Sequence, residues 1–183
     1  TAFIDPFFKH RTLVMYCNVE DPITREKYSR DPRYIAQKAE AYLRSTGIAD
    51  TAYFGPEAEF FLFDSISYSI EPWNTGFKIL SREAHWSSDE PSVPGTGELS
   101  FGYKMRCKEG YFPLPPADQL QDCRSEMVRL MLGAGIDIEI HHHEVAAAGQ
   151  AEIDLKFDSL TRIADSLMTY KYIVKNTARQ FGL

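Results

Sequence analysis

Apolar residues at helical spacing predict a first helix near the start of the chain. Asp31 has a side chain suited to a helix N-cap, Pro32 fits the first helical position, and Gly47 ends the pattern. We expect a surface helix that packs one apolar face, formed by Ile35, Ala39, Tyr42 and Leu43.

Two further helices are predicted in the second half of the chain. An amphipathic pattern runs from Asp118 to Leu132 and is ended by Gly133 and Gly135. Asp158-Ser159 then caps a long helix, whose apolar stripe is formed by Leu160, Ile163, Ala164, Leu167, Tyr170 and Val174.

Strand patterns occur between these helices. The clearest are Thr12 to Cys17, Ala52 to Asp64, and a strand, tight connection and return strand from Ile138 through Gly149 to Glu152. Hairpins and crossovers are mixed along the chain, which favours an α+β fold with a largely antiparallel sheet.

The stretch from Ser65 to Gly102 is predicted to be a long irregular loop. It contains Pro72, Pro91 and Pro94 among many Ser, Gly and acidic residues. We expect Trp73 and Trp86 to be packing anchors within it.

Carboxylates and histidines concentrate around the third strand pattern. Ile138, Ile140, His142 and Glu144 share one strand face, because side chains alternate with period two. If the turn centres on Ala148, Glu144 and Glu152 lie directly opposite each other, and such like charges need a cation between them. Carboxylates without thiolates favour Mg²⁺ or Mn²⁺ over zinc.

A second acidic pair, Glu57 and Glu59, shares one face of the strand pattern that runs to Asp64. Alone, such a pair is more often a solvated sheet edge. Together with Glu144 and Glu152, it would bring four carboxylates together from three strands.

The run His141-His142-His143 leaves a zinc site open as an alternative. Neighbouring residues of a strand point to alternating faces, so all three histidines cannot bind one ion. We expect them mainly to pack and to form hydrogen bonds beside the carboxylates.

Composition narrows the possible partners. The chain has 183 residues, is 44% hydrophobic and carries a net charge of −6 without a basic cluster, so nucleic acid and anionic membrane are not expected partners. No apolar run reaches the roughly 20 residues that span a bilayer. Three cysteines without C-x-x-C spacing are expected to be reduced thiols of a cytoplasmic protein: Cys17, Cys107 and Cys123.

Several motifs together resemble one family, bacterial type I glutamine synthetase, in its order and near its spacing. They are Tyr28 to Arg33, Phe54 to Phe61, Gly110 to Pro113, His141 to Val145, Gly149 to Glu152, and Tyr170 to Asn176. The resemblance implies that residues 1–27 are the tail of a small N-terminal β-grasp-like domain. Residues 28–183 would be the first half of the catalytic domain, an open, barrel-like sheet flanked by helices.

The resemblance also implies a reaction and its site. ATP would phosphorylate glutamate to γ-glutamyl phosphate, and ammonia would displace the phosphate. Glu59, Glu144 and Glu152 would hold the first of two divalent ions (Mg²⁺ or Mn²⁺), and Glu57 would hold the second. Other matching positions lie near the ammonium pocket, Glu144 and Tyr111, or line the ATP site, Glu139, Lys156 and Phe157.

One departure affects Tyr111. Glu109 stands where the family usually has glycine, which makes the role of Tyr111 less secure. Pro113, Pro115 and Pro116 place Tyr111 on a rigid irregular segment, where the residues alone favour a structural role.

The resemblance further implies double hexameric rings with active sites shared between subunits. Both chain ends look cut, and the family's phosphate-binding arginines would follow Leu183. The isolated chain is therefore expected to form no glutamine and to self-associate through exposed apolar surface. The alternative from another class is a non-catalytic divalent-metal-binding or regulatory module made from the same half-site.

Overall fold

A computed structural model describes residues 1–87 and 102–183 of the chain. These residues form three α-helices and nine β-strands, which makes the protein α+β as predicted. In chain order the elements are β1 (Ala2–Ile4), β2 (Leu13–Met15), α1 (Pro32–Thr46), β3 (Tyr53–Phe54), β4 (Glu57–Phe61), β5 (Ser65–Glu71), β6 (Asn74–Leu80), a 3-10 turn (His85–Ser87), α2 (Gln121–Gly133), β7 (Ile138–His143), β8 (Gln150–Leu155), β9 (Asp158–Ser159) and α3 (Leu160–Gln180).

The strands form four small sheets in the described part of the chain, and none of them closes into a barrel. Three are antiparallel pairs, β1–β2, β3–β9 and β5–β6, and the fourth has the order β4-β8-β7. The prediction of antiparallel pairing is confirmed for these three pairs. The chain divides into two compact units, and the first comprises Thr1–Pro56, Leu130–Glu139 and Asp154–Ile173. The second comprises Glu57–Arg129, Ile140–Ile153 and Val174–Leu183.

Helix α1 has the predicted ends but not the predicted packing. The Asp31 carboxylate accepts the Arg33 N–H at 3.1 Å, and Gly47 ends the helix with φ +70. Ile35 and Tyr42 on its apolar face are nevertheless 50% and 72% exposed. Within the described residues, this face borders an apolar groove of about 630 Å³. The expectation of a buried face was wrong, because no described element of the first unit covers it.

Helix α2 begins later than predicted, whereas helix α3 begins at Leu160, directly after the predicted cap residues. Helix α2 starts at Gln121 because Asp118 folds onto it, and the buried Asp118 carboxylate forms an ion pair with the buried Arg124. Helix α3 is capped by Glu40, whose carboxylate accepts the Thr161 N–H at 2.9 Å, instead of by Asp158-Ser159. The predicted stripe of α3 is mostly confirmed, since Ile163, Tyr170 and Val174 are buried and Leu160 and Leu167 are half-buried, whereas Ala164 is exposed.

The predicted strand Ala52 to Asp64 is two strands in different sheets. Gly55-Pro56 separates β3 from β4, because proline cannot donate a hydrogen bond to a sheet. In β4, Glu57 and Glu59 share the exposed face while Ala58 and Phe60 are half-buried, as the alternation predicted.

The first part of the predicted irregular loop is an antiparallel hairpin. Strands β5 and β6 pair from Ser65↔Leu80 to Glu71↔Asn74, with Pro72-Trp73 at the tip. The prediction of a loop was wrong, because the period-two alternation of Ile66, Tyr68 and Ile70 favours a strand in spite of the Ser and Pro residues around it. Residues 88–101, with Pro91 and Pro94, lie outside the described residues.

The two tryptophans of this stretch differ. Trp73 at the hairpin tip is 82% exposed, so its prediction as a packing anchor was wrong. The Trp86 indole N–H donates to the Ile79 carbonyl at 3.1 Å and ties the 3-10 turn to β6.

Candidate metal and catalytic site

The residues His142–Glu152, which we call the carboxylate segment, fold into a tight reversal. The Glu144 N–H donates to the Gln150 carbonyl at 3.0 Å, and the Gln150 N–H donates to the Ala147 carbonyl at 3.2 Å. Gly149 has φ +79, the conformation that we expected a glycine to supply. The predicted register was wrong: Glu144 bonds to Gln150 instead of lying directly opposite Glu152, because the turn is tighter than one centred on Ala148.

The side chains of His142, Glu144 and Glu152 nevertheless converge. Ligand atoms of the three residues lie within 4.8 Å of one another, and all three residues are buried. His142 lies between the two carboxylates, with Nδ1 3.9 Å from Glu144 Oε1 and Nε2 3.6 Å from Glu152 Oε2. Two buried acids on one imidazole form a strongly negative pocket that favours a cation.

The other two predicted ligands lie on β4, next to β8 in the same sheet. Gln150 donates its side-chain N–H to the Glu59 carboxylate and accepts the Ala146 N–H at 2.6 Å with its side-chain oxygen. Gln150 therefore links Glu59 to the carboxylate segment. Glu57 is exposed on the same face of β4 as Glu59.

The three histidines separate, as alternation predicted. Only His142 joins the carboxylates among the described residues. His143 is fully buried with Nε2 3.1 Å from Glu83 Oε2. Burial lowers the pKa of His143, but bonds to Glu83, Gly110 and Glu144 raise it to a net value above the ordinary one. Burial and the nearby Arg124 charge lower the pKa of His141, which favours its neutral form.

An aromatic pair covers His142. Tyr111 and Phe112 lie on an irregular segment, as the prolines predicted, and Phe112 has φ +53. The Phe112 ring stacks on His142 with centroids 4.2 Å apart, and the Tyr111 ring meets His142 edge-on at 5.5 Å. Tyr111 is 62% exposed, so the phenol can meet a small molecule from solvent.

The three residues expected to line an ATP site belong to the first unit. Glu139, Lys156 and Phe157 are all exposed. Phe157 packs edge-on against Tyr53 at 5.5 Å, and Lys156 and Phe157 line a cavity of about 30 Å³. A cavity of that size holds about one water molecule and is too small for a nucleotide.

Sequence reasoning missed Glu83 and the contact roles of Gln150, His142 and Phe112. Glu83 is a fully buried carboxylate from the stretch predicted to be an irregular loop. The sequence motif contains Gln150 but does not predict its hydrogen bonds to Glu59 and Ala146. A buried position for His142 could have been read from the period-two face that it shares with Glu144.

The donor set fits a hard divalent cation. Glu144 and Glu152 supply buried carboxylate oxygens and His142 one nitrogen, without a thiolate. Mg²⁺ and Mn²⁺ prefer oxygen ligands, and Mn²⁺ also accepts imidazole. His142 Nδ1 lies 3.1 Å from the His143 carbonyl, so a proton on Nδ1 leaves Nε2 free of a proton on the side of Glu152.

Comparisons with known proteins identify the family of the chain. Residues 29–183 match the family model described as glutamine synthetase, catalytic domain. The chain is 53% identical over 182 residues to the glutamine synthetases of Frankia alni and Aquifex aeolicus, covering 100% of this chain and 38% and 37% of those proteins. It is 46% identical, over 38% of that protein, to a 3-hydroxylaminophenol mutase of Cupriavidus pinatubonensis.

A solved structure gives the same result for the fold. The cryo-electron microscopy structure of Plasmodium falciparum glutamine synthetase superimposes with a TM-score of 0.88 at 29% identity. It covers 100% of this chain, and this chain spans 35% of it. In the described residues no helix is long and apolar enough to cross a membrane. Because a catalytic-domain model covers residues 29–183 and relatives align over the whole chain, this chain belongs to the glutamine synthetase family.

Proposed function

We propose that this chain provides part of the active site of an ATP-dependent glutamate–ammonia ligase, which forms glutamine through γ-glutamyl phosphate. The chain spans about two-fifths of the length of the relatives that it matches, so the reaction of the whole protein is the proposal. The observation that carries it is the buried convergence of His142, Glu144 and Glu152, inside the motifs that this family shares.

The carboxylates hold divalent cations in this proposal. Glu59, Glu144 and Glu152 bind a first Mg²⁺ or Mn²⁺, and Glu57 is one ligand of a second. A divalent ion bound there polarises the glutamate γ-carboxylate and neutralises charge on the transferring phosphoryl group. Gln150 keeps Glu59 oriented toward the segment by its hydrogen bond to that carboxylate.

Glu144 and Tyr111 act on the ammonium ion. An aromatic ring and a carboxylate both attract NH₄⁺, and a carboxylate within reach can accept its proton before ammonia attacks. The stack of Phe112 on His142, with Tyr111 at its edge, supports this assignment, because it brings aromatic side chains close to the acids.

We propose that ATP contacts the exposed side chains of Glu139, Lys156 and Phe157 in the first unit, outside the small cavity that Lys156 and Phe157 line. This assignment rests on the match of these positions to the ATP site of the family. Residues 1–27 then form the tail of an N-terminal β-grasp-like domain, which is supported by the start of the family match at residue 29. Exposed apolar groups on β5 and β6 support assembly into a homo-oligomer, for which we propose the double hexameric ring. Glutamate, ammonium and ATP are the proposed ligands, and the cytoplasm is the proposed location.

Two other functions remain candidates. A non-catalytic metal-binding or regulatory module would use the same carboxylates without turnover. A mutase reaction is suggested by the name of one relative that is 46% identical. The zinc alternative is weaker, because only His142 among the three histidines faces the carboxylates in the described residues.

A chimera tests the proposal. This chain replaces the corresponding region of a full-length glutamine synthetase that is 53% identical to it. The chimera is assayed for γ-glutamyl hydroxamate formation from glutamate, hydroxylamine and ATP with Mg²⁺ or Mn²⁺. We expect activity, and a loss of about 100-fold or more in a Glu144→Gln chimera, because a charged ligand and a proton acceptor are both removed.

The matched control is a Glu71→Gln chimera, which changes an exposed acid on β5 and keeps full activity. A folded, assembled chimera without hydroxamate formation contradicts the proposal. If such a chimera still binds Mn²⁺, the non-catalytic module becomes the better interpretation, and conversion of 3-hydroxylaminophenol instead favours the mutase. The 183-residue chain by itself is expected to form no hydroxamate.

A further inference from the structure

Glu83 is a fully buried acid outside the predicted site, and every contact described for its carboxylate is a donor. Oε1 accepts the Gln119 N–H at 2.7 Å. Oε2 accepts the Gly149 N–H at 2.9 Å and lies 3.1 Å from His143 Nε2. A buried carboxylate is costly unless such donors compensate it, so this arrangement serves a purpose that a smaller apolar side chain would not.

The His143 ring completes a second set of contacts. Its Nδ1 lies 2.7 Å from the Gly110 carbonyl and 2.9 Å from the Glu144 carbonyl. Both ring nitrogens therefore lie within hydrogen-bond distance of oxygen atoms of other residues. Glu83 and His143 form a buried, hydrogen-bonded pair, and each side chain has further polar contacts on its other side.

The Glu83–His143 pair joins the segments that carry the candidate site. Through His143 it is bonded to Gly110, the neighbour of Tyr111, and to the backbone of Glu144. Through Gly149 it is bonded to the end of the turn that leads into Gln150 and Glu152. The Lys108 N–H donates to the Ala146 carbonyl at 2.9 Å, which adds a backbone hydrogen bond between the Tyr111 segment and the carboxylate segment.

The space around the pair leaves little freedom. A Cβ added at Gly110 would lie 2.5 Å from the Glu144 carbonyl oxygen and 2.8 Å from His143 Cε1. One added at Gly149 would lie 2.2 Å from the Leu62 carbonyl oxygen. The backbones are close-packed where Glu83 and His143 bind them, so a shift of the pair moves both segments.

We propose that Glu83 is a positioning residue of the carboxylate site: through His143 and Gly149 it fixes the separation of Glu144 from Glu152 and holds the Tyr111 segment beside them. Its side chain is fully buried and contacts Gln119, His143 and Gly149. It acts as the outer partner of the ligand-bearing segment, a role in which loss typically costs about 10- to 100-fold in metal affinity. The proposal rests on the proposed function only for its metal readout.

The substitution Glu83→Gln tests the proposal in the 183-residue chain. The amide is nearly the same size, but its NH₂ replaces one acceptor oxygen and must face one of the groups that now contact the carboxylate. The matched control is Asp165→Asn in the first unit, which also neutralises a buried acid with an ion-pair partner, Arg33 at 3.1 Å.

Two readouts separate positioning from stability. Mn²⁺ affinity, measured by electron paramagnetic resonance of the free ion, is expected to fall about tenfold or more in Glu83→Gln and less than about twofold in Asp165→Asn. Without metal, amide hydrogen exchange is expected to accelerate in peptides covering residues 106–113 and 143–152 for Glu83→Gln alone. Unchanged Mn²⁺ affinity and exchange in a folded Glu83→Gln variant, or equal losses in both variants, overturn the proposal.

The experiment also decides the proposal if the parent chain does not bind Mn²⁺ or if Glu83→Gln does not fold. If the parent chain binds no Mn²⁺, the proposed function fails, and the exchange readout still decides the positioning role of Glu83. If Glu83→Gln does not fold, Glu83→Asp replaces it, because the shorter carboxylate keeps the charge but cannot reach all three donors. We expect intermediate loss of affinity and protection in Glu83→Asp, and parental values there overturn the proposal.

Discussion

The carboxylate segment and the β5–β6 hairpin are both short chain reversals. Proteins usually bury apolar side chains and expose polar ones, and these two regions break that rule in opposite ways. In the carboxylate segment, polar side chains are buried: His142, His143, Glu144, Gln150 and Glu152. In the hairpin, apolar side chains are exposed by 57% to 82%: Ile66, Tyr68, Ile70, Trp73 and Phe77.

The difference shows which part of the chain binds an ion and which part needs another surface. Buried acids persist only when they are compensated, so the carboxylate segment points to a cation and to the supporting hydrogen-bonded pair of Glu83 and His143. Exposed apolar groups on one hairpin face persist when a partner covers them. Substitutions at matched positions of the two regions test this difference.

Exchanging glycine for alanine should give the largest difference between the two regions. At Gly149, with φ +79, the new Cβ would lie 2.2 Å from the Leu62 carbonyl oxygen, so we expect Gly149→Ala to cost at least about 3 kcal/mol. At Gly76 a new Cβ meets no atom of the described residues within 4 Å. Gly76→Ala should therefore be neutral or stabilise the strand by up to about 1 kcal/mol.

Urea unfolding of the two variants measures these changes through the midpoint at constant slope. A loss of similar size in both variants would contradict the contrast, because it would mean that the hairpin is as tightly packed as the carboxylate segment.

Removing one acid should give a smaller effect whose sign depends on metal. Glu144→Gln relieves repulsion among buried acids, so the metal-free protein should gain up to about 1 kcal/mol. The amide oxygen can still accept the Val145 N–H, which Glu144 Oε2 accepts at 2.5 Å. The rise in melting temperature caused by Mn²⁺ should fall by about half or more, because the ion loses a charged ligand.

Thermal melts with EDTA and with excess Mn²⁺ check both signs. Glu71→Gln on the hairpin is the matched control and should change neither melt, since that acid is exposed. A defect in packing would instead destabilise Glu144→Gln in both conditions, and an equal Mn²⁺ shift in parent and variant would remove Glu144 from the metal site.

Residue types and their spacing correctly predicted the turn and the shared strand face of the carboxylate segment. Gly149 marked the turn, and period-two alternation placed His142 and Glu144 on one face. The register was two residues off, because turn tightness depends on backbone bonds such as Gln150 N–H to Ala147 carbonyl, which side-chain identities do not fix. Glu83 could not be found from sequence, since its partners lie 36 to 66 residues away.

The errors elsewhere have a common physical origin. The β5–β6 hairpin was missed because its alternating apolar residues face outward, and without a buried face Ser and Pro suggested a loop. Helix α1 was expected to bury Ile35 and Tyr42 because amphipathicity predicts a covered face, but periodicity cannot say which segment covers it. Sequence patterns predict elements and faces more reliably than they predict partners.

Substitutions on the exposed hairpin face should change the stability least, but they should clearly reduce self-association of the chain. Tyr68 and Phe77 are paired across β5 and β6 and are 74% and 75% exposed. The double substitution Tyr68→Thr/Phe77→Thr introduces β-branched residues, which also suit strands, so the unfolding free energy should change by less than about 1 kcal/mol. Self-association should decrease, because the largest apolar groups of this face are removed.

Light scattering and sedimentation over a range of protein concentrations measure this effect. The matched control is Ser67→Thr, which changes the opposite face of the same hairpin at the position paired with Lys78 and should associate like the parent. If the parent chain is a monodisperse monomer at every concentration, the exposed apolar face of the hairpin does not drive self-association, and this part of the comparison is wrong. Equal association of the parent and the double variant would instead assign the contact to another apolar surface, such as the groove beside α1.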